Sequence, residues 1–344
     1  MPHDTLSDVL RFVRLRGAVF YYISSGQDWA AEAPSAREIA PAVMPGADHV
    51  MEYHVITKGS GWAAIVGQPP VRLAEGDIVV FPHGDPHVMS SAPHLRPAPS
   101  GTEWYFATRD VARPLPIAIQ GVDDLSFGAY VPGAPNNIVC GFLACDLRPF
   151  NPLIAALPRL LHLPGDAEGS WIAPALEQAV RAAQNQQPGS AALLERLSEM
   201  MFVDAVRRYA ERLPAQSGGW LAGLRDRHVG RALALLHADP ARDWTIEGLA
   251  GEVALSRSAL YDRFVQLVGQ PPMQYLTQWR MQLAAKLLRE SRAPVASIAL
   301  DVGYDSEAAF SRAFKRATGK PPAAWRRAAS DESSTPPPVP ASLA

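Results

Sequence analysis

One motif in the last third of the chain occurs twice, and it constrains the fold more than any other feature. Phe264-x4-Gly269-x-Pro271-Pro272-x2-Tyr275 returns fifty residues later as Phe314-x4-Gly319-x-Pro321-Pro322-x2-Trp325. Leu260 and Ser256 map on Phe310 and Ser306 at the same offset, and Ala250 with Ala254 map on Ala299 with Gly303 at an offset of 49. Two copies at this period make a duplicated motif, not a solenoid. Each copy reads as a helix, a tight turn and a second helix. Ala250 and Ala299 are small enough for the helices to cross closely, and Ala254 and Gly303 fall in the turn, where little or no Cβ is tolerated. Ser256 and Ser306 are placed as N-caps. Gly269 and Gly319 stop the second helices, and Pro-Pro forbids continuation.

This is helix-turn-helix design, whose second helix enters a major groove. The second copy reads SEAAFSRAFKR over residues 306–316. Phe310 and Phe314 stack on one helical face, and the other presents Glu307, Ala308, Ser311, Arg312 and Lys315. A slim outer face lets the backbone approach base edges, and one arginine then reaches a guanine's O6 and N7. Arg312 is assigned that readout, with Lys315 and Arg316 as phosphate contacts. An ordinary surface ion pair of Arg312 with Glu307 or Asp305 is the alternative. In copy one the outward positions are Arg257, Ser258, Tyr261 and Asp262. Asp262 either accepts from a cytosine amine or pairs with a neighbouring arginine.

Charge follows the same division. Residues 225–329 carry 16 Lys and Arg against 10 Asp and Glu, whereas residues 1–224 carry 16 against 22. A basic C-terminal third joined to an acidic remainder points to a polyanion reader attached to something else. No apolar h-region follows Met1 and no uncharged apolar run approaches 18 residues, so a cytoplasmic protein with no membrane partner is expected. Two cysteines, Cys140 and Cys145, make no disulfide framework and fit a reducing compartment. They read as buried small hydrophobes, with a redox switch as the alternative.

From Ala18 to Asp146 short apolar runs alternate with Gly and Pro: VFYYI, VMEYHVI, WAAIVG, DIVVFP, HVMSS, WYFAT, PIAI and IVCGFLACD. That spacing predicts a β-sandwich or barrel. PLIAALPRLLHL, IAPALEQAVRAA and SAALLERLSEMMFVDAVRRYAERL then predict three helices, the last with Leu193, Leu197, Met200, Met201 and Val206 as its stripe. The Pro-rich end, from residue 330, predicts a disordered tail.

Over residues 225–327 the chain resembles the AraC/XylS family of bacterial transcription regulators, most specifically in IALDVGYDSEAAFSRAFKRATGKPPAAWRR. Arg280, Ala284, Leu287 and Leu288 match the family's joining helix and are assigned structural roles. GDIVVFPHGDPH (residues 76–87) resembles the second cupin signature, while the first keeps only Glu52, His54 and Gly59 and lacks the paired histidines of metal-binding cupins. The resemblance implies a multidomain α and β protein: an N-terminal cupin-like β-barrel, a helical middle and a C-terminal all-α domain with two helix-turn-helix motifs. The boundaries expected are 1–148 for ligand sensing, 149–213 for the linker and dimerisation, 225–329 for DNA binding and 330–344 for the tail.

Glu52, His54 and His87 are the candidate ligand-binding residues. A catalytic cupin metal needs about three imidazoles and a carboxylate. Three readings therefore stay open: a metal site, an apolar pocket for an organic and possibly anionic effector, and polar fillers of a closed core. The expected function is sequence-specific DNA binding in transcription regulation, with activation the expected output, controlled by a small molecule in the barrel. No catalytic residue, metal or cofactor is assigned. The implied partners are operator DNA, the effector, a second copy of the chain and RNA polymerase. A cupin metalloenzyme fused to a DNA-binding module and a thiol-based oxidant sensor are the competing functions.

Overall fold

Burial alternates along residues 16–22, and the runs 49–58 and 136–145 are buried on both faces. Such strands must sit centrally in a sheet with both faces covered. The computed structural model describes residues 3–99, 101–165, 171–214 and 217–334. The chain opens with α1 (Thr5–Phe12), β1 (Arg16–Ser25), β2 (Ala30–Ala33) and α2 (Ala36–Val43). It continues with β3 (His49–Lys58), β4 (Ser60–Ile65), β5 (Val71–Ala74), β6 (Ile78–Phe81), β7 (His87–Ser90) and α3 (Glu103–Ala107). Then come β8 (Leu115–Ile119), β9 (Leu125–Phe127), β10 (Asn136–Cys145), α4 (Pro152–Ala156) and β11 (Leu161–Leu163). The rest is helical: α5 (Ile172–Gln184), α6 (Ser190–Arg212), α7 (Trp220–Arg225), α8 (Val229–Ala238) and α9 (Ile246–Glu252). The last helices are α10 (Arg257–Val268), α11 (Pro272–Glu290), α12 (Val295–Asp301), α13 (Glu307–Thr318) and α14 (Pro322–Ser334).

Contacts divide the chain into two units. Among the described residues, one comprises those within 15–145 and 157–211; the other takes 3–14, 146–156 and those within 212–334. In the first, a seven-stranded sheet of order β11-β6-β3-β10-β1-β8-β9 faces a four-stranded sheet of order β2-β7-β4-β5. Tyr21, Ile117, Ile138 and Phe142 from one sheet and Trp29, Ile65, Leu73 and Met89 from the other share a single core. The predicted sheet-rich architecture is present.

Two expected elements differ. WYFAT forms α3 instead of a strand: Trp104 stacks on Tyr105 at 3.6 Å, and both rings pack against Tyr21. Packing of the two aromatics there outweighs their β-propensity. PLIAALPRLLHL is helical only to Ala156, because Pro158 disfavours a helical Leu157, and Leu161–Leu163 then pairs with β6. On α6 the predicted stripe splits. Leu194, Met201, Phe202, Ala205 and Val206 are buried, whereas Leu193 and Met200 remain about half exposed, at 47% and 52%. The Ser198 hydroxyl lies 2.6 Å from that of Tyr53, and a Cβ at Gly17 would stand 2.5 Å from the Ser198 Cβ. That close approach explains the glycine.

The second unit is all helical, and it includes segments distant in sequence. Gln282 on α11, 1% exposed, donates to the Phe12 carbonyl at 3.1 Å and accepts from the Phe150 N–H at 3.2 Å. Arg14 grips the Asp146 carboxylate with Nε and Nη2 at 2.7 and 2.9 Å, and Arg289 reaches the same carboxylate at 3.3 Å. α1 and the segment after β10 are thus built into the unit that carries the repeat. Arg280 donates to the carbonyls of Pro240, Gly303 and Arg242, and Ala284 and Leu288 are fully buried. α14 runs to Ser334, into the stretch expected to be tail, and residues 335–344 lie outside the described residues.

Candidate functional site

The repeat folds as its sequence dictates. Ser256 and Ser306 cap α10 and α13 by accepting from the N–H groups of Ala259 and Ala309, at 3.2 and 3.3 Å. Gly269 and Gly319 end the same helices in the left-handed conformation. Beneath α13, Phe310 and Phe314 are fully buried, with Tyr304 and Trp325 edge-on to them. Its outer face exposes Glu307, Ala308, Arg312, Lys315 and Arg316, with Ser311 half-buried between them. Among the described residues no carboxylate lies within ion-pair distance of Arg312, so the ion pair with Glu307 or Asp305 does not form. On α10, Arg257, Ser258, Tyr261 and Asp262 are all exposed. Arg257 pairs with Glu247 at 3.2 Å, across two exposed side chains, which is a weak tie. Among the described residues Asp262 has no arginine partner; its neighbour Arg263 is engaged by Asp226.

The second site lies in the sheet-rich unit. Glu52 and His54 share a face of β3, and the turn after β6 brings His87 at the start of β7 against them, so the three come from both sheets. His54 Nε2 stands 2.7 Å from His87 Nε2, and these nitrogens lie 3.8 and 4.0 Å from the Glu52 carboxylate oxygens. The other ring nitrogens are tied: His87 Nδ1 to the Asp85 carbonyl at 2.9 Å, and His54 Nδ1 to the Cys140 sulfur at 2.8 Å. Burial pushes the Glu52 carboxyl up to about 8 and the His87 imidazole down to about 4. Burial, with His87 beside it, holds His54 well below the ordinary histidine range. Burial, with Glu52 nearby, raises the Cys140 thiol well above its usual value. Burial thus disfavours the charged form of every group in the cluster.

A cavity opens over this cluster, walled by Tyr21, Trp29, Met89, Trp104, Tyr105 and Ile138 among others. The Tyr21 hydroxyl, the Trp29 indole N–H and one Glu52 oxygen border it, buried and without a hydrogen-bond partner among the described residues. Three orphaned polar atoms in one apolar cavity are costly unless something fills them. The neutral imidazoles offer no positive charge, which argues against the anionic effector among the expectations. Nothing in the sequence singles out Tyr21 or Trp29; both reach the cavity through strand register and packing. A raised, buried thiol is inert, which disfavours oxidant sensing at Cys140. Cupin-type folds also raise the question of a metal. Glu52, His54 and His87 offer ligand atoms within 4.8 Å of one another, and both histidines have the second-nitrogen tether that metal ligands require. The donor set fits a divalent cation.

The family model for a cupin domain matches residues 4–211, and one described as a helix-turn-helix domain matches residues 249–328. An AraC-like transcription regulator of Streptomyces lividans is 34% identical over 94% of this chain and 98% of its own length. The HTH-type transcriptional regulator AlkR of Acinetobacter baylyi is 28% identical over 94% of this chain and 99% of its own. Among solved structures, the DNA-binding domain of AdpA in complex with a target DNA is 30% identical, covering 31% of this chain and 96% of that one, with a TM-score of 0.30. No helix among the described residues is long and apolar enough to cross a membrane.

Proposed function

Because the chain belongs to the AraC-like transcription regulators, with a cupin domain ahead of a DNA-binding helix-turn-helix domain, we propose that it reads its operator through α10 and α13 under control of a small molecule in the barrel cavity. The observation that carries the reading of DNA is the slim face of α13, on which an unpaired Arg312 stands over buried Phe310 and Phe314. Arg312 takes the base-reading role, Lys315 and Arg316 take phosphates, and Arg257, Ser258, Tyr261 and Asp262 form the corresponding face of the first repeat.

For the sensor, the three orphaned polar atoms carry the reading. They fit a compact, uncharged, largely apolar effector with an oxygen that accepts from Trp29 and Tyr21 and meets the protonated Glu52. A second reading is a divalent cation held by Glu52, His54 and His87, which would supply Lewis-acid polarisation to such an oxygen. The same unpartnered Glu52 oxygen favours it. The half-exposed Leu193 and Met200, with Val203 beside them, support α6 as the contact between two copies.

The test uses the full chain. Thermal shift with neutral aromatic and aliphatic alcohols and ketones, together with elemental analysis for metal, separates the two sensor readings. A stabilising neutral compound whose effect vanishes in Trp29→Phe supports the first; a stoichiometric metal lost in His87→Ala supports the second. If no compound stabilises and no metal is bound, both fail.

A further inference from the structure

Outside the barrel, a second group of ligand atoms converges in the helical unit. His3, Asp8 on α1 and His237 on α8 bring an imidazole Nε2, a carboxylate Oδ2 and an imidazole Nδ1 within 4.8 Å of one another. Asp8 Oδ2 is shared: His3 Nε2 contacts it closely, and His237 Nδ1 lies 3.5 Å away. The His237 side chain is completely buried, stacked on Trp279 at 3.9 Å. Among the described residues its Nδ1 has no partner nearer than this long approach to the Asp8 carboxylate.

The other side of the ring is fixed. His237 Nε2 lies 2.8 Å from the Tyr275 hydroxyl, which accepts from the Trp220 indole N–H at 3.0 Å. A phenolic oxygen has a second lone pair, so it can also accept Nε2–H and leave the unprotonated Nδ1 with its lone pair facing Asp8. That is how a metal-binding histidine is held: one nitrogen tethered, the other presented. Two imidazoles and one carboxylate select a borderline transition ion over Mg2+ or Ca2+, which prefer all-oxygen shells. His3, partly exposed, leaves room for water at a fourth position.

We infer that His3, Asp8 and His237 form a binding site for a divalent transition cation of the Zn2+ class, which pins α1 to the DNA-binding unit. The site is separate from the barrel cluster and stands whichever sensor reading holds. The bound ion satisfies the orphaned Nδ1 and replaces the direct His3–Asp8 contact by two bonds to the metal.

The experiment is equilibrium dialysis of the full, untagged chain against Zn2+, with Co2+ absorption as a second reading of the ligand set. His3→Ala and Asp8→Asn act on side chains that solvent reaches, so they leave the core alone. Each is expected to lose one bound equivalent relative to the parent, and His87→Ala to keep that equivalent. His237→Gln should lose it too, with helical content checked by circular dichroism. Equal binding by the parent, His3→Ala and Asp8→Asn overturns the proposal, as does a parent chain that retains no Zn2+.

Discussion

Ala254 and Gly303 occupy the same turn of the two repeats, both left-handed, at φ +55° and +79°. Identical backbone with different side chains gives opposite expectations. Ala254→Gly removes left-handed strain but adds freedom to the unfolded chain, so the two nearly cancel and stability should change by less than about 1 kcal/mol. At Gly303 a Cβ would stand 2.7 Å from the Ala241 carbonyl and 2.8 Å from the Arg280 guanidinium. Gly303→Ala should therefore cost about 2 kcal/mol or more, strain and overpacking acting together. Denaturant unfolding of both variants measures the contrast; equal effects would mean the turns are not equivalent.

Arg312→Ala should weaken operator binding by about 1–3 kcal/mol and relax preference at one base pair. Lys315→Ala and Arg316→Ala should weaken operator and scrambled duplex alike and shallow the salt slope by about one each. Anisotropy titrations at several salt concentrations distinguish the roles. Equal loss on both duplexes for Arg312→Ala would make it a backbone contact.

Asp226 provides a pH-dependent tie within the reader. Its carboxylate accepts from the N–H groups of His228 and Val229 at the start of α8 and pairs with Arg263 on α10. Burial raises its pKa, but Arg263 and the two N–H groups outweigh that and bring it down to about 2. A carboxyl lowered in the fold contributes stability above its unfolded pKa of 3.8, and loses that contribution as pH falls toward 2. Asp226→Ala should cost about 1 kcal/mol at pH 7, and the gap from the parent should close between pH 4 and pH 2. A gap that persists at pH 2 would assign the effect to packing.

Sensor and reader should separate by mutation. His54→Ala and His87→Ala are expected to abolish the response to any effector found, while DNA affinity without effector stays within about twofold, well under the 1.4 kcal/mol of a tenfold change. Loss of DNA binding in a folded variant would sink the modular reading.

Mass spectrometry after mild peroxide treatment of the native chain should find Cys140 and Cys145 unmodified. Both thiols are buried, at 1% and 3% exposure, and Cys140 stays protonated. Sulfenic acid or a disulfide at either would restore the oxidant-sensing function.

The repeat was legible because its determinants are local: caps at Ser256 and Ser306, turns at Ala254 and Gly303, and stops at Gly269 and Gly319 each act within a few residues. The barrel was legible as a class and poorly as parts. β2, β6, β7 and β11 are three or four residues long, and each pairs with a strand distant in sequence. Glu52, His54 and His87 stand in sequence signatures, whereas Trp29 and Tyr21 reach the cavity only through pairing and packing. Asp8 and His237 are 229 residues apart and carry no motif. The split stripe on α6 has the same origin: helical period identifies apolar positions, but not which of them a distant β1 will cover.

The hydrogen bond from Gln282 to the Phe12 carbonyl spans 270 residues. During synthesis at about 5–20 residues per second, Phe12 leaves the ribosome roughly 15–50 seconds before Gln282 exists to meet it. Every strand of the barrel is made within that interval, while α1 waits with its apolar face unpaired. The helix-turn-helix domain is thus completed after the cupin domain, so a nascent chain can fold the strands of the latter before it can compete for DNA.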